Sequence, residues 1–345
     1  MKYLVSIGLE THVQLKTKSK MFCGCRTAFA AEPNTQVCPI CLGYPGALPL
    51  MNREAVKLTV LSGLMLGCTI SKYCKFDRKN YFYPDASKNY QISQYDMPLC
   101  LGGAVEIPVA GGMKRVNLTR IHLEEDVAKN THHPRCSGVD FNRAGVPLME
   151  IVSEPEMSSA DEAIAYLHAL KQILVYTGVS ECNLEEGNMR CDVNVSIRPE
   201  GTDKLGTKIE IKNMNSFSHI QSALAYEIDR QERTLGSGGL LVQETRRWDP
   251  DTGETASMRS KENAHDYRYF PEPDLLPIAL PQEQIDDWSK LLPELPEHKR
   301  VRFLETYGIP EYDANVLCAQ LPVANFFEAA VKVGAPAKSA SNWIM

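Results

Sequence analysis

Between Met189 and Arg198 every second residue is polar: Arg190, Asp192, Asn194, Ser196 and Arg198 alternate with Met189, Cys191, Val193, Val195 and Ile197. Successive side chains on an extended strand point to opposite faces, so this segment requires a sheet with one apolar face and one polar face. The same period recurs elsewhere. Val5, Ile7 and Leu9 begin an N-terminal strand in which Glu10, His12 and Gln14 share one face and Leu9, Val13 and Leu15 the other. Lys208, Glu210 and Lys212 alternate with Ile209 and Ile211, and residues 115–123 form a further period-two run. Helix signals lie between them. Asn52 caps a run to Gly67; Ser159 with Glu162 forms a capping box before a helix ending near Gly178; Ser218 with Gln221 does the same before a helix ending near Gly236. Strands with interspersed helices predict an α+β fold with a mainly antiparallel sheet.

The pattern changes after six prolines at 271, 273, 277, 281, 293 and 296. Beyond them only helical periodicity remains, over Glu297–Tyr307, Asp313–Leu321 and Val323–Val333, which puts a boundary near 293 and an all-α part over 294–345. The chain ends at Asn342-Trp-Ile-Met without a terminal cap, which reads as an interruption. At about 150 residues per domain, 345 residues suit two or three domains. With 43% hydrophobic and 23% charged residues the chain can bury a core. A net charge of −6 excludes a polybasic protein but not a local basic patch on an acidic one. The N-terminus lacks a signal-peptide pattern, and the longest uncharged stretch, Leu58–Ser71, has 14 residues, too few to span a bilayer. A soluble, cytoplasmic protein with no membrane partner is expected.

Eleven cysteines in a chain of this size point to metal before disulfides. Cys23-Gly-Cys25 and Cys38-Pro-Ile-Cys41 are two close pairs separated by 12 residues. Four thiolates suit tetrahedral zinc and leave no open position, so the site is expected to be structural. The bland alternative is four unlinked buried cysteines. The other seven are scattered and read as core filler, Cys191 on its strand being typical.

The polar strand faces carry a second chemistry. Glu10 and His12 on one strand, Arg190 and Asp192 on another, Lys208 and Glu210 on a third, Glu124 and Glu125 closing a fourth, and Glu150 inside the apolar run Val146–Val152 mix carboxylates, a histidine and fixed cations. Magnesium–nucleotide chemistry requires oxygen ligands for a hard cation and positive charge for phosphoryl groups. His12 also suits manganese. A plain solvated face fits the pattern equally well. No Gly-x-x-x-x-Gly-Lys-Ser/Thr or Gly-x-Gly-x-x-Gly occurs, so ATP phosphates would have to be held by metal and sheet side chains. Lys75–Tyr95 packs six aromatic and four basic residues, among them Lys79, Tyr81 and Lys88, into 21 positions. Stacking faces beside cations suit adenine or a single-stranded nucleic-acid end; a packed hairpin edge is the structural alternative.

Several stretches together resemble the GatB family, the B subunits of tRNA-dependent glutamyl/aspartyl-tRNA amidotransferases. They are Ile7–Gln14, Lys75–Gln94, His122–Asp126, Pro147–Pro155, Glu185–Arg198, Lys208–Phe217 and Asp266–Asp274. The resemblance runs over nearly the whole chain. It implies a glutamine-synthetase-like cradle (1–293, with a zinc knuckle near 23–41) followed by a helical tRNA-binding domain, and a tail domain absent from this sequence. The implied ligase reaction starts from misacylated Glu-tRNA(Gln) or Asp-tRNA(Asn). ATP phosphorylates the side-chain carboxylate, and ammonia from a partner amidase displaces phosphate. That amidase is the A component of a heterotrimer whose small C component binds the other two together. By position Glu10, His12, Glu124, Glu125 and Glu150 match the family's metal and nucleotide site, and Cys23, Cys25, Cys38 and Cys41 its zinc knuckle. Glu125→Gln is then expected to abolish ATP turnover. A metal-dependent ligase of small carboxylates and a non-catalytic zinc RNA-binding module are the competing readings.

Overall fold

The computed structural model describes residues 2–258 and 267–345, so Asp266 of the last quoted stretch lies outside the described residues. Its centre is a ten-stranded, largely antiparallel sheet. Tyr3–Gln14 lies in the middle, paired antiparallel with Met189–Pro199 on one side and Pro147–Ser153 on the other. Gly112–Glu125 pairs with Pro147–Ser153, while Ile209–Lys212 extends the sheet beyond Met189–Pro199. The expected antiparallel order is broken once, where Ile209–Lys212 runs parallel to Glu244–Asp249.

Alternation sorts the residues as the sequence requires. Ile7, Leu9, Val13, Cys191, Val193, Val195, Ile209 and Ile211 are all buried in one core. Helices Ala160–Tyr176 and Phe217–Gly236 add Tyr166, Leu167, Leu170, Leu174, Ile220 and Leu224 to the same core. Fully burying a large aliphatic side chain stabilises a fold by about 1.5–3 kcal/mol, so the apolar strand face determines register strongly. A slip of one residue would drive Glu10 and His12 into this core.

The helix starts are capped by short polar side chains, with one difference from expectation. Asn52 accepts from the Glu54 and Ala55 amides, and Ser159 accepts from Glu162 N at 3.1 Å. Glu162, however, returns its carboxylate to Ser158 rather than to Ser159. The third helix begins two residues earlier than the sequence suggested. Ser216, extended at φ −152°, accepts from His219 N, and Ser218 is already inside the helix. Gln221 does not close a box there but donates to Asp161.

The aromatic–basic segment forms a small sheet of its own. Asp77–Asn80 pairs with Tyr90–Ser93 on one side and Phe270–Pro271 on the other. Arg78 makes a two-pronged ion pair with Glu272, at 2.7 and 2.8 Å, between the rings of Tyr90 and Phe270. After the proline-rich stretch, which contains the unexpected helix Gln282–Ser289, four helices follow. Pro296–Tyr307, Glu311–Leu317, Leu321–Lys332 and Ala337–Ile344 bury Phe303, Leu317, Cys318 and Phe327 in a separate small core. It touches the first core's helix Ala160–Tyr176 through Tyr176 and Gln172, which both donate to the Cys318 carbonyl. Among the described residues, no single helix is long and apolar enough to cross a membrane.

Candidate active site

The polar face of the central sheet gathers groups from chain positions more than a hundred residues apart. In the antiparallel register Arg190 lies opposite His12, His12 opposite Glu150, and Glu150 opposite His122. Side chains at aligned positions of neighbouring strands share a face, so these four form a row. His12 Nε2 is 3.3 Å from Glu150 Oε2 and 3.7 Å from Glu124 Oε1. His12, Glu124 and Glu150 each offer one ligand atom, all within 4.8 Å of one another. Adjacent ligands on an octahedron of about 2.1 Å radius are about 3 Å apart, so one histidine and two carboxylates fit a magnesium or manganese ion.

The charge states carry the same message. Burial would lower the His12 pKa, but its hydrogen bond to Glu150 and the charges of Glu150, Glu124 and Asp192 raise it to about 9. Burial would raise that of Glu150, yet His122 and His12 hold it well below the usual carboxylate range. Without an added cation, protonated imidazole supplies the positive charge this face demands.

Glu10 sits one position along. Burial and then the Glu150 charge push its pKa up against an Asn194 hydrogen bond of 2.9 Å, with Glu210 and Asp192 adding to the rise. On the flank away from Glu150, Lys212 bridges Asp192 at 2.7 Å and Glu210 at 3.0 Å. Arg190 pairs with buried Asp126 at 3.0 Å; Asp126 also accepts from Gln14 at 2.8 Å. On the other flank Lys79 lies over the Tyr267 ring at 4.9 Å. Burial opposes its charge, but Glu124, Tyr269 and Glu150 raise its pKa. Tyr81 meets Tyr267 edge-on, and Tyr269 stacks on Tyr95 at 4.3 Å with their planes 11° apart.

The structure therefore brings Glu10, His12, Glu124, Glu150, Arg190, Asp192, Glu210, Lys79 and Tyr81 to one side of the sheet or its rim. Two predicted residues are set apart. Lys208 precedes its strand and is exposed, reaching the site only through its charge, which helps to lower the pKa of Glu210. Glu125 follows Glu124 on an alternating strand and turns the other way, accepting from Lys88 and from Ile92 N at 3.0 Å. It lines a cavity of about 100 Å³ whose wall also includes Cys23, Cys41, Tyr44 and Tyr90. His122 was missed as a site residue. Its parity with Glu124 was readable, yet only its pairing with Glu150 marks it. It is buried with Nε2 3.3 Å from Glu150 and with Nδ1 unpaired.

Behind that cavity Cys23, Cys25, Cys38 and Cys41 offer four sulfurs within 4.8 Å of one another, Cys38 and Cys41 at 3.9 Å. Sulfurs around tetrahedral zinc at about 2.3 Å lie about 3.8 Å apart, so this set fits zinc. The Cys23 thiol and, against burial, the Cys38 backbone and Lys20 draw the Cys41 pKa down to about 4. Its hydrogen bond with Cys41, then burial, pushes Cys23 up. The shift favours the thiolate at Cys41, the form that ligates a metal. Of the remaining cysteines, Cys68, Cys74, Cys100, Cys182, Cys191 and Cys318 are buried filler as expected; Cys136 is exposed instead.

Comparison with known proteins places this architecture. The GatB/GatE catalytic-domain family model matches residues 5–286. The B subunit of the aspartyl/glutamyl-tRNA(Asn/Gln) amidotransferase of Caldanaerobacter subterraneus subsp. tengcongensis is 56% identical over the whole of this chain and 73% of its own length. The proteins of that name from Thermodesulfovibrio yellowstonii and Geotalea uraniireducens are 55% and 54% identical with the same coverage. A match over most of the residues, with relatives this similar from end to end of the chain, means that the protein belongs to the GatB/GatE catalytic-domain family.

Proposed function

We propose that this chain is the transamidating component of a cytoplasmic tRNA-dependent amidotransferase, a ligase that converts Glu-tRNA(Gln) or Asp-tRNA(Asn) to Gln-tRNA(Gln) or Asn-tRNA(Asn). The observation that carries the reading is the convergence of His12, Glu124 and Glu150 on one sheet face between two cationic flanks. A carboxylate is a poor electrophile, and transfer of a phosphoryl group from ATP to its oxygen supplies a leaving group for ammonia. His12, Glu124 and Glu150, with Glu10 beside them, would hold magnesium or manganese, which offsets the charge of the triphosphate and the acyl phosphate. Arg190, Lys212 and Lys79 supply fixed positive charge around the phosphoryl groups, with Asp192, Glu210 and Asp126 orienting them. The tyrosines at 81, 267 and 269 offer ring faces for adenine or the terminal base of tRNA.

In this reading residues 1–293 form a glutamine-synthetase-like cradle and 294–345 begin a helical domain that grips tRNA away from the reacting end. The four cysteines hold structural zinc. Ammonia comes from a partner amidase joined through a small third component. The test is ADP formation with magnesium in the assembled enzyme, comparing Glu-tRNA(Gln), Gln-tRNA(Gln) and free glutamate. Turnover with the misacylated tRNA alone is expected. Turnover with free glutamate would indicate a small-molecule ligase, and tRNA binding without any turnover a binding module.

A further inference from the structure

Lys20 is fully buried, with no exposed side-chain surface. A lysine ammonium is rarely sealed from water unless an anion balances it. Among the described residues no carboxylate lies within ion-pair distance of Lys20; its Nζ instead donates to the Phe141 carbonyl at 3.1 Å and to Cys41 Sγ at 3.5 Å. The sulfur cluster is therefore the anion in direct contact with it; the Glu125 carboxylate, which also lies beside Gly145, is paired with Lys88. Four thiolates around a divalent zinc carry two net negative charges, more than a neutral set of buried thiols would offer this lysine.

The backbone holds the pair together. Lys20 N donates to the Cys25 carbonyl at 2.9 Å, and Met21 N donates to the Gly145 carbonyl. Gly145 has φ +84°, and a Cβ there would stand 3.4 Å from Lys20 Cδ and 3.5 Å from Cys41 Cβ. The positive φ favours glycine at this position, and its backbone packs against both the lysine stem and Cys41.

We propose that Lys20 is the positioning cation of the four-cysteine centre, a buried partner that neutralises part of its charge and orients Cys41. The inference rests on the zinc reading given above. Outer partners of metal ligands typically contribute about 10–100-fold to metal affinity. Lys20→Met keeps the stem and removes the charge and donor, so zinc affinity, measured by competition with a chromogenic chelator on the full chain, is expected to fall by about 10–100-fold. Lys20→Gln retains an N–H for the Phe141 carbonyl and carries the same readout should the methionine variant not fold. In cobalt-substituted protein, loss of a hydrogen bond to the thiolate is expected to move the sulfur-to-cobalt absorption to lower energy, which a purely structural lysine would not do. Wild-type protein without zinc affinity would overturn the zinc reading itself. Zinc held equally tightly by wild type and folded variants, with an unmoved cobalt spectrum, would overturn the role of Lys20 alone.

Discussion

The cysteine cluster, two of whose members line a cavity with Glu125, and the His12–Glu124–Glu150 cluster, which holds the residue before Glu125, are built on different principles. The cysteines come from 19 consecutive residues, offer a closed set of soft ligands and have one buried lysine in contact with Cys41. The other cluster takes its ligands from three strands, mixes nitrogen and oxygen donors, and is bordered by cations and aromatic rings. A closed tetrathiolate suits structure, whereas a mixed set on a rim leaves positions for substrate. The contrast teaches that a short loop can gather a ligand set by itself, while the histidine–carboxylate cluster depends on the register of a whole sheet.

The sharpest way to break this contrast is to remove one ligand from each centre. Structural zinc in small domains contributes on the order of 10 kcal/mol of metal-linked folding energy. Cys38→Ser is therefore expected to abolish zinc content by elemental analysis and to lower the Tm by more than about 5 °C. Preserved zinc would contradict the closed-site reading. Glu150→Gln is expected to reduce ADP formation by more than about 100-fold with zinc content unchanged, since losing a direct ligand exceeds the loss of an outer partner. Zinc loss there would mean that the two centres are one unit.

Adjacent glutamates sharpen the comparison further. Glu124→Gln is expected to weaken manganese binding, followed by electron paramagnetic resonance, by at least about 10-fold. Glu125→Gln should change it by less than about threefold, because Glu125 pairs with Lys88 on the other side. This narrows the expectation that Glu125 is a metal ligand: any loss of turnover in its variant would have to arise without loss of metal.

A pH test follows from His12. Its folded pKa of about 9 lies above the ordinary imidazole value of 6.5, so the protonated form is favoured by folding. In chelator-treated protein that stabilisation is fully present below pH 6.5 and is lost as pH rises from 6.5 to about 9. Thermal scans should show this decline, and added manganese should flatten it. A flat profile in chelator would remove the charge argument for the site. The smallest effect serves as a control on both centres. Ser216→Ala should cost about 1 kcal/mol in urea unfolding through the lost cap, and Ser218→Ala less than about 0.5 kcal/mol.

What the sequence determined by itself is local or periodic. The paired cysteines, the α+β alternation, the proline-marked change near 293 and the polar faces of Glu10–Gln14 and Arg190–Arg198 all follow from spacing, because ligand geometry and the two-residue strand period act within a few residues. Motif resemblance went further and pointed to the family. Register needed the assembled sheet. Only the pairing of Tyr3–Gln14 with Pro147–Ser153, and of that strand with Gly112–Glu125, sets Glu150 between His12 and His122. Only the pleat at the end of Gly112–Glu125 decides that Glu124 joins them and Glu125 does not. Lys20 was silent as a letter in Thr-Lys-Ser-Lys, since burial of a charge is a property of everything packed around it.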